Sequence, residues 1–198
     1  MERTVCFRDL EERDIDFIYK CKNDKKLNSM IVGQWRPFTY EEAAKWVHGC
    51  MGEHETYKFW AICTNDEEQR IVGWVSISSI DYDNRSACFH GIVIGDSLYN
   101  DGISWIETYL FVYNHVFDVL TLHRLYGEHL AEHSMSEPMS VAMYLLREGL
   151  KKDSIYRNGR YYDTAIDAIL SDEYFMHLEN GDFEIRKVIK RIIKAKKR

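Results

Sequence analysis

The spacing of apolar residues predicts a chain that alternates between strands and helices. Short runs rich in β-branched and aromatic residues, separated by polar turns, predict strands at residues 5–8, 58–64, 71–80, 86–94 and 123–132. Apolar residues at helical spacing predict helices at residues 12–22, 40–51 and 103–120. Strands and helices are therefore interspersed along the chain.

The segment 86–104, SACFHGIVIGDSLYNDGIS, carries a strand through a glycine-bearing loop into the helix predicted from Ile103. Unpaired N–H groups at the start of a helix, together with the helix dipole, form a site that suits phosphate. Within the strand, alternation places His90 on the face opposite to Phe89 and Gly91. Gly91 indicates either a bulge that frees backbone groups for a ligand or a kinked core strand. We expect the function to lie at this junction.

Several segments follow one another in an order that is typical of a known family. The strand at 86–94 leads into Y-x-x-G-x-S at the start of a helix, a second strand follows, and S-x-x-x-Y comes after it. Four other segments add to the pattern: RDLEERDIDFIYKCKND (8–24), TYEEAAKWV (39–47), IVGWVSISSIDYDNRSA (71–87) and NGRYYDTAIDAILSDEYF (158–175). Over residues 4–176 the chain resembles the GCN5-related N-acetyltransferases (GNAT), in the subgroup that acetylates ribosomal-protein N-termini and small amines.

The resemblance implies a single-domain α+β fold of the GNAT type over residues 1–176, followed by a basic amphipathic helical extension at residues 177–198. The implied core is a central, mixed and mostly antiparallel twisted sheet of about six or seven strands with about four flanking helices. Residues 158–175 would supply its closing strands.

The resemblance also implies an enzyme that transfers acetyl from acetyl-CoA to a primary amine by direct attack on the thioester, without a metal. The acceptor would be a small amine, an amino sugar or a protein N-terminus. The residues that the resemblance assigns to acetyl-CoA are Gly91, Ile92, Val93, Ile94, Tyr99, Asn100, Asp101, Gly102, Ile103, Ser104 and Ser140.

The phosphate loop departs from the family pattern. Tyr99 stands where the family has Gln or Arg, Asp101 adds a carboxylate that repels phosphate, and Gly102 is kept. Each backbone N–H bonded to a charged phosphate contributes roughly 1.5 to 3 kcal/mol, whereas losing an exposed cation costs about 0.2 to 1 kcal/mol. We therefore expect CoA to bind through backbone amides, with the Asp101 side chain in solvent and with an affinity below that of a typical member.

Two residues are candidates for acid–base catalysis. Tyr144 follows Ser140 at the family's spacing in a helix expected at residues 139–147, but Gly149 comes one residue late. Tyr144 is therefore either the acid that protonates the leaving thiolate or a packed ring. His90, with an ordinary pKa of about 6.5, is either the base or a hydrogen-bonded part of the scaffold. The alternative bases are Glu128, His129 and Glu132.

Backbone N–H groups at residues 91–93 would donate to the oxyanion. Trp35 and Arg36 pair an aromatic ring with a cation in the segment between the first two predicted helices. In a GNAT-like fold this segment would border the acceptor pocket, which makes both residues candidates for substrate binding. The alternative is that they form a surface plug.

Charge is unevenly distributed along the chain. The whole sequence has 26 Lys and Arg against 32 Asp and Glu, yet residues 185–198 hold eight basic residues and no acid. Isoleucines at helical spacing in this segment predict an amphipathic helix. It would dock on the acidic body, form a homodimer contact, or meet an anionic membrane surface or nucleic acid. The alternative function is a non-catalytic, acyltransferase-like module that binds CoA or a partner and works through this helix.

Composition bears on location and on metal binding. No apolar run approaches the length of a membrane span, and the first residues, MERTVCFRDLEERD, are charged, so we expect a cytoplasmic protein. The five cysteines show no C-x-x-C or other metal-ligand spacing. This pattern predicts free thiols and no metal.

Overall fold

The computed structural model describes residues 4–29, 31–32 and 35–197, which form seven strands and six α-helices. The strands are β1 (Val5–Arg8), β2 (Lys58–Thr64), β3 (Ile71–Asp81), β4 (Ser86–Ile94), β5 (Arg124–Leu130), β6 (Leu146–Arg157) and β7 (Arg160–Leu170). The helices are α1 (Ile15–Asn23), α2 (Tyr40–Cys50), α3 (Ile103–Tyr113), α4 (Ser136–Ala142), α5 (Ser171–Glu179) and α6 (Ile185–Ala195).

The sheet order is β1-β2-β3-β4-β5-β7-β6. β4 and β5 run parallel, whereas the pairs β1–β2, β2–β3, β5–β7 and β6–β7 are antiparallel. This arrangement confirms the predicted α+β class with a mixed, mostly antiparallel sheet. The chain divides into two compact units, the first made of residues 1–78 and 90–108 and the second of residues 79–89 and 109–198.

In the first unit, two contacts hold the ends of the candidate phosphate loop. A Cβ built at Gly73 of β3 would come within 2.2 Å of the Val93 carbonyl oxygen, so glycine is required for the close approach of β3 and β4. At the other end, the Glu107 carboxylate of α3 accepts hydrogen bonds from the N–H groups of Thr4 and Val5, at 3.0 and 3.1 Å. Glu107 thereby ties the start of α3 to β1.

The second unit contains β5, β7 and β6, together with the helices from the end of α3 onward. α3 continues beyond Tyr113 into a π-helical turn at Asn114–Val119, which accounts for the long helix predicted at residues 103–120. β6 pairs with β7 along the edge of the sheet.

Three expectations for the C-terminal part were wrong or incomplete. The helix expected at 139–147 ends earlier, because Tyr144 adopts a positive φ of 62° that a helix cannot continue through, and β6 begins at Leu146. β6 itself was missed because it is an exposed edge strand with register shifts and carries little apolar alternation. Residues 171–175, expected in a strand, begin α5, where the Glu173 carboxylate accepts from the Leu170 N–H at 2.9 Å.

The basic C-terminal segment forms the predicted helix, α6, which packs against α4 within the second unit. Val188 and Ile192 are its buried residues, so docking on its own chain is confirmed for this face. Homodimer, membrane and nucleic-acid contacts of the helix stay predictions. The domain boundary predicted between residues 176 and 177 falls inside α5, and a separate C-terminal extension also stays a prediction.

Within the described part of the chain, no helix combines the length and hydrophobicity that a membrane span needs. The same residues contain no group of His, Cys, Asp and Glu side chains that is arranged to hold a metal ion. All five cysteines are free thiols.

Candidate active site

β4 changes conformation at Gly91, where the sequence predicted a bulge or a kink. Gly91 has φ of +108°, a conformation that glycine adopts readily and other residues rarely. Before it, Ala87 and Phe89 are buried, whereas after it Ile94 is the buried residue, so the alternation of faces reverses. In the second unit the parallel register with β5 runs to Phe89 opposite Gly127. The distortion of β4 thus comes directly after its pairing with β5.

The start of α3 is capped by a side chain from its own loop. The Asp101 carboxylate accepts hydrogen bonds from the N–H groups of Ile103, at 3.0 Å, and Ser104, at 3.1 Å. Asp101 is exposed, as expected, but its carboxylate turns back onto the start of the helix. A carboxylate is a favourable acceptor for the unpaired N–H groups at the positive end of a helix, which explains the arrangement. These are the N–H groups on which the predicted phosphate site depends.

Other features of the loop fit an anion. Gly102 has φ of +85°, and no atom lies within 4 Å of a Cβ built on it, so the backbone there is open to a ligand. Ser104 Oγ is buried and has no hydrogen-bond partner among the described residues. Pyrophosphate binding by this loop stays a prediction, and it requires Asp101 to release the two N–H groups.

His90 lines an open cavity of about 390 Å³ in the first unit. Three aromatic side chains, Trp46, Tyr57 and Phe59, form part of its wall. The pKa of His90 is lowered, because burial disfavours the charged imidazolium and the ammonium group of Lys22 repels it. His90 is therefore neutral at neutral pH and has a ring nitrogen that accepts a proton.

The aromatic wall was missed by sequence reasoning, although part of the signal was present. Tyr57 directly precedes β2 and Phe59 lies two residues later within it, a spacing that places side chains on one face of an extended chain. Their ring centroids lie 5.8 Å apart, and Trp46 meets the Phe59 ring edge-on at 5.3 Å. Trp46 comes from α2, so only the packing of α2 on the sheet completes the wall.

Trp35 and Arg36 are not among the residues that line this cavity. Trp35 Nε1 donates to the Lys22 carbonyl oxygen at 2.8 Å, which fixes the segment to α1. The Arg36 guanidinium donates to both carboxylate oxygens of Glu42, at 3.0 and 2.8 Å. The structure thus gives both residues anchoring contacts, and their direct role in substrate binding stays a prediction.

In the second unit, the ring of Tyr144 is enclosed by other side chains. His177 stacks on it with 3.5 Å between ring centroids and 10° between ring planes. The guanidinium carbon of Arg191 lies 4.4 Å from its centroid, and Phe183 meets it at 6.0 Å. This environment favours the packing alternative for Tyr144, and the proton-donor role stays a prediction.

A buried carboxylate gathers several polar candidates of the second unit. Asp167 accepts from Arg147 Nε at 2.6 Å, lies 2.9 Å from His129 Nε2 and bonds to the Ser140 hydroxyl. Burial raises the pKa of Asp167, but these hydrogen bonds lower it by more, so the resulting pKa is about 2. Because the Ser140 hydroxyl is engaged with Asp167, contact between Ser140 and CoA stays a prediction.

All three alternative bases are paired. The pairs are Glu128 with Lys151, Glu132 with Arg160, and His129 with Asp167. Glu128 and Glu132 lose their ion pairs when they take a proton from a substrate, and the hydrogen bond to Asp167 raises the pKa of His129, so less of His129 is in the neutral form that can accept a proton. Of the candidates, the neutral His90 is thus the better suited to accept one.

The pKa of His129 predicts how stability depends on pH. Burial lowers this pKa, but hydrogen bonds from the ring to Asp167 and to the Leu130 carbonyl raise it more, so the folded pKa lies above the ordinary value of about 6.5. The imidazolium therefore stabilises the fold fully below about pH 6.5. That contribution is lost as the pH rises through the raised folded pKa.

We expect the free energy of unfolding to fall as the pH rises from about 6.5 through the raised folded pKa of His129, and to fall less in a His129→Gln variant. Urea denaturation at a series of pH values measures both slopes. His48→Gln is the matched control, because His48 is exposed and should leave the wild-type slope intact. An unchanged slope in His129→Gln would show that another group causes the dependence.

The chain is similar in sequence to proteins of one known family. Residues 4–140 match the family described as "Acetyltransferase (GNAT) domain". The chain belongs to the GNAT acetyltransferase family. Among known proteins, a spermidine N(1)-acetyltransferase from Vibrio cholerae is 25% identical over 187 residues, which cover 90% of this chain and 100% of that protein.

Solved structures of GNAT proteins share the fold. A GNAT-family acetyltransferase from Bacillus anthracis superposes with a TM-score of 0.73 at 22% identity, covering 87% of this chain and 97% of that one. Spermidine N-acetyltransferase from Vibrio cholerae, in complex with CoA and spermine, gives a TM-score of 0.71 at 23% identity, covering 87% and 98%. The resemblance seen in the sequence is confirmed, and the chain belongs to a family of N-acetyltransferases that use acetyl-CoA.

Proposed function

We propose that this GNAT protein transfers the acetyl group of acetyl-CoA to a primary amine by direct attack, with His90 as the base. The observation that carries the proposal is the position of His90, which directly precedes the Gly91 kink, lines the 390 Å³ cavity and has a lowered pKa. A neutral imidazole there suits the deprotonation of an alkylammonium group, whose pKa is about 10. The cavity has the size of a small-ligand site.

The reaction needs three proton transfers and one exchange of bonds. His90 takes a proton from the acceptor ammonium, directly or through a water molecule, and the amine lone pair forms the C–N bond to the thioester carbonyl carbon. Backbone N–H groups at residues 91–93 would donate to the oxyanion. The C–S bond then breaks, the nitrogen loses its second proton to solvent, and the CoA thiolate takes a proton from solvent or from Tyr144.

A non-catalytic CoA-binding or interaction module is the second candidate. Two observations favour it. Asp101 already engages the N–H groups of Ile103 and Ser104, and the Tyr144 ring is stacked against His177. In that case α6, with its exposed lysines, would be the surface that a partner meets.

Thermal unfolding with acetyl-CoA and release of free CoA thiol separate the two functions. A ligand at 100 times its Kd adds about 2.7 kcal/mol to the free energy of unfolding, so near-millimolar acetyl-CoA should raise the melting temperature. The enzyme should also release thiol when amines are supplied. Stabilisation without thiol release for any amine would favour a CoA-binding module, whereas no stabilisation would contradict acetyl transfer and leave only a module that binds a partner.

Variants assign the roles within the enzyme. His90→Gln should lower kcat roughly 10²- to 10⁴-fold while the acetyl-CoA thermal shift remains. His48→Gln, on the exposed side of α2, should leave both readouts unchanged. A Tyr144→Phe variant with wild-type kcat would remove Tyr144 from the mechanism, and a His90→Gln variant with wild-type kcat would remove His90.

A further inference from the structure

An aromatic cage in the first unit holds the ammonium group of Lys22. Lys22 Nζ lies 4.2 Å from the ring centroid of Trp46, 5.4 Å from that of Trp74 and 5.5 Å from that of Phe38. Trp46 is itself part of the cavity wall. A cation over the face of a tryptophan is attracted by the ring, and the attraction grows when water is excluded. Lys22 is thus held one ring away from the cavity.

Among the described residues, no carboxylate is paired with the ammonium group in this cage. Burial lowers the pKa of Lys22, and the charged or titratable groups that act on it within the described chain are the thiols of Cys50 and Cys21. A buried cation that has lost water without gaining an anion is unfavourable. An anionic group brought into the cavity would supply the missing partner charge.

The charge of Lys22 extends into the cavity itself. Two lining residues respond to it: the pKa of His90 is lowered by burial and then by Lys22, and the pKa of Cys50 is raised to about 11 by burial, which Lys22 opposes. Lys45 places a second cationic side chain on the wall. No Asp or Glu is found among the described residues that line the cavity.

We propose that this cavity takes an acceptor amine with an aromatic or aliphatic body that carries one anionic group, and that Lys22 and Lys45 select it against polyamines. The inference rests on the proposed acetyl transfer and narrows its acceptor. Trp46, Tyr57 and Phe59 offer rings for the apolar body, His90 faces the amine, and the two lysines attract the anion.

A polyamine meets the opposite environment. Loss of one proton to His90 leaves its other ammonium groups charged. These meet Lys45 on the wall and the charge of Lys22 behind Trp46, with no carboxylate of the described cavity wall to pair with. Like charges in a partly desolvated site repel each other more strongly than in water. The spermidine acetyltransferase relative, at 25% identity, therefore does not fix the acceptor of this chain.

A panel of four amines tests the selection at saturating acetyl-CoA, with thiol release as the readout. Phenethylamine carries no anion, phenylalanine has a carboxylate beside the amine, 4-(2-aminoethyl)benzoate has one at the far end of the ring, and spermidine is a polycation. We expect one of the two carboxylate-bearing amines to exceed phenethylamine at least tenfold in kcat/KM, and spermidine to be the poorest substrate.

Charge variants show whether the lysines cause the preference. Lys22→Met and Lys45→Met keep most of the side-chain volume, and each should reduce the preference for the anionic amine at least threefold and improve spermidine. Lys20→Met is the matched control, because Lys20 is an exposed lysine on the same helix as Lys22 and should leave the ratios unchanged. Melting temperatures confirm that each variant is folded, and Lys45→Met, at an exposed position, keeps the test valid if Lys22→Met is unstable.

Equilibrium binding separates this inference from the proposed function. Isothermal titration of 4-(2-aminoethyl)benzoate into the wild type and the Lys22→Met variant measures the anion site without turnover. Binding that weakens in Lys22→Met, with no acetylation of any amine, supports the anion site and overturns the proposed function. Turnover in which spermidine equals or exceeds the anionic amines, or in which lysine variants keep the wild-type ratios, overturns the inference and leaves acetyl transfer standing.

Discussion

An Arg191→Ala variant is expected to be destabilised by about 2 to 4 kcal/mol. Arg191 Nε donates to the Ala142 carbonyl at 2.9 Å and Nη2 donates to the Asp182 carbonyl at 2.8 Å, while its guanidinium covers the Tyr144 ring. The Ala142 carbonyl is one of the groups at the end of α4 that has no partner within the helix. Removing the guanidinium leaves two carbonyl groups without a donor and one face of a ring uncovered.

Urea denaturation followed by circular dichroism measures this loss, which corresponds to a fall in melting temperature of roughly 4 to 15 °C for a chain of this size. Lys190→Ala is the matched control, because Lys190 is an exposed cation on the same helix and should cost less than about 0.5 kcal/mol. Arg191→Lys keeps the charge but loses the planar fork and should fall between the two. Equal stability of Arg191→Ala and Lys190→Ala would contradict the docking role of Arg191.

An Asp101→Ala variant is expected to bind CoA about tenfold more tightly than the wild type, a gain of about 1.4 kcal/mol. The carboxylate occupies the N–H groups of Ile103 and Ser104 and repels phosphate, so the ligand has to displace it. Alanine frees both donors in advance and removes the negative charge. The same change removes a cap from α3, and we expect the ligand-free protein to lose about 1 kcal/mol of stability.

Isothermal titration with CoA measures the affinity, and two variants control for charge and hydrogen bonding. Asp101→Asn removes the charge but keeps an oxygen that accepts from the helix, so its affinity should lie between wild type and Asp101→Ala. Glu67→Ala removes one negative charge from an exposed turn and should leave the Kd unchanged. Weaker CoA binding in Asp101→Ala would show that Asp101 assists the ligand instead of competing with it.

The sequence predicted local features well where they depend on neighbouring residues. The kink at Gly91 follows from a glycine inside an apolar strand, and the order of strands β1 to β5 follows from hydrophobic runs between polar turns. The sequence also indicated the capping role of Asp101, since an acidic residue just before a helix is a common cap. Our expectation took into account that the Asp101 carboxylate repels phosphate, but not that it accepts hydrogen bonds from the start of α3.

Edge elements and isolated residues were harder to predict. β6 carries mostly exposed side chains, so its sequence lacks the period-two pattern that a half-buried strand shows. Tyr144 was placed in a helix by its spacing from Ser140, but its positive φ and its contact with His177 depend on where α5 lies. The residues next to Tyr144 in the sequence indicate neither its positive φ nor its contact with His177.

By itself, the sequence determined the α+β class, the order of most elements, the distorted strand at Gly91 and the GNAT family, because each depends on periodicity or on motifs of nearby residues. The tertiary structure decided the cage around Lys22, the neutral state of His90 and the packing of Tyr144 under Arg191. The cage joins residues from α1, α2 and β3, and desolvation together with the charge of Lys22 lowers the pKa of His90. Such properties arise from desolvation and from contacts between distant segments, which no local pattern of residues encodes.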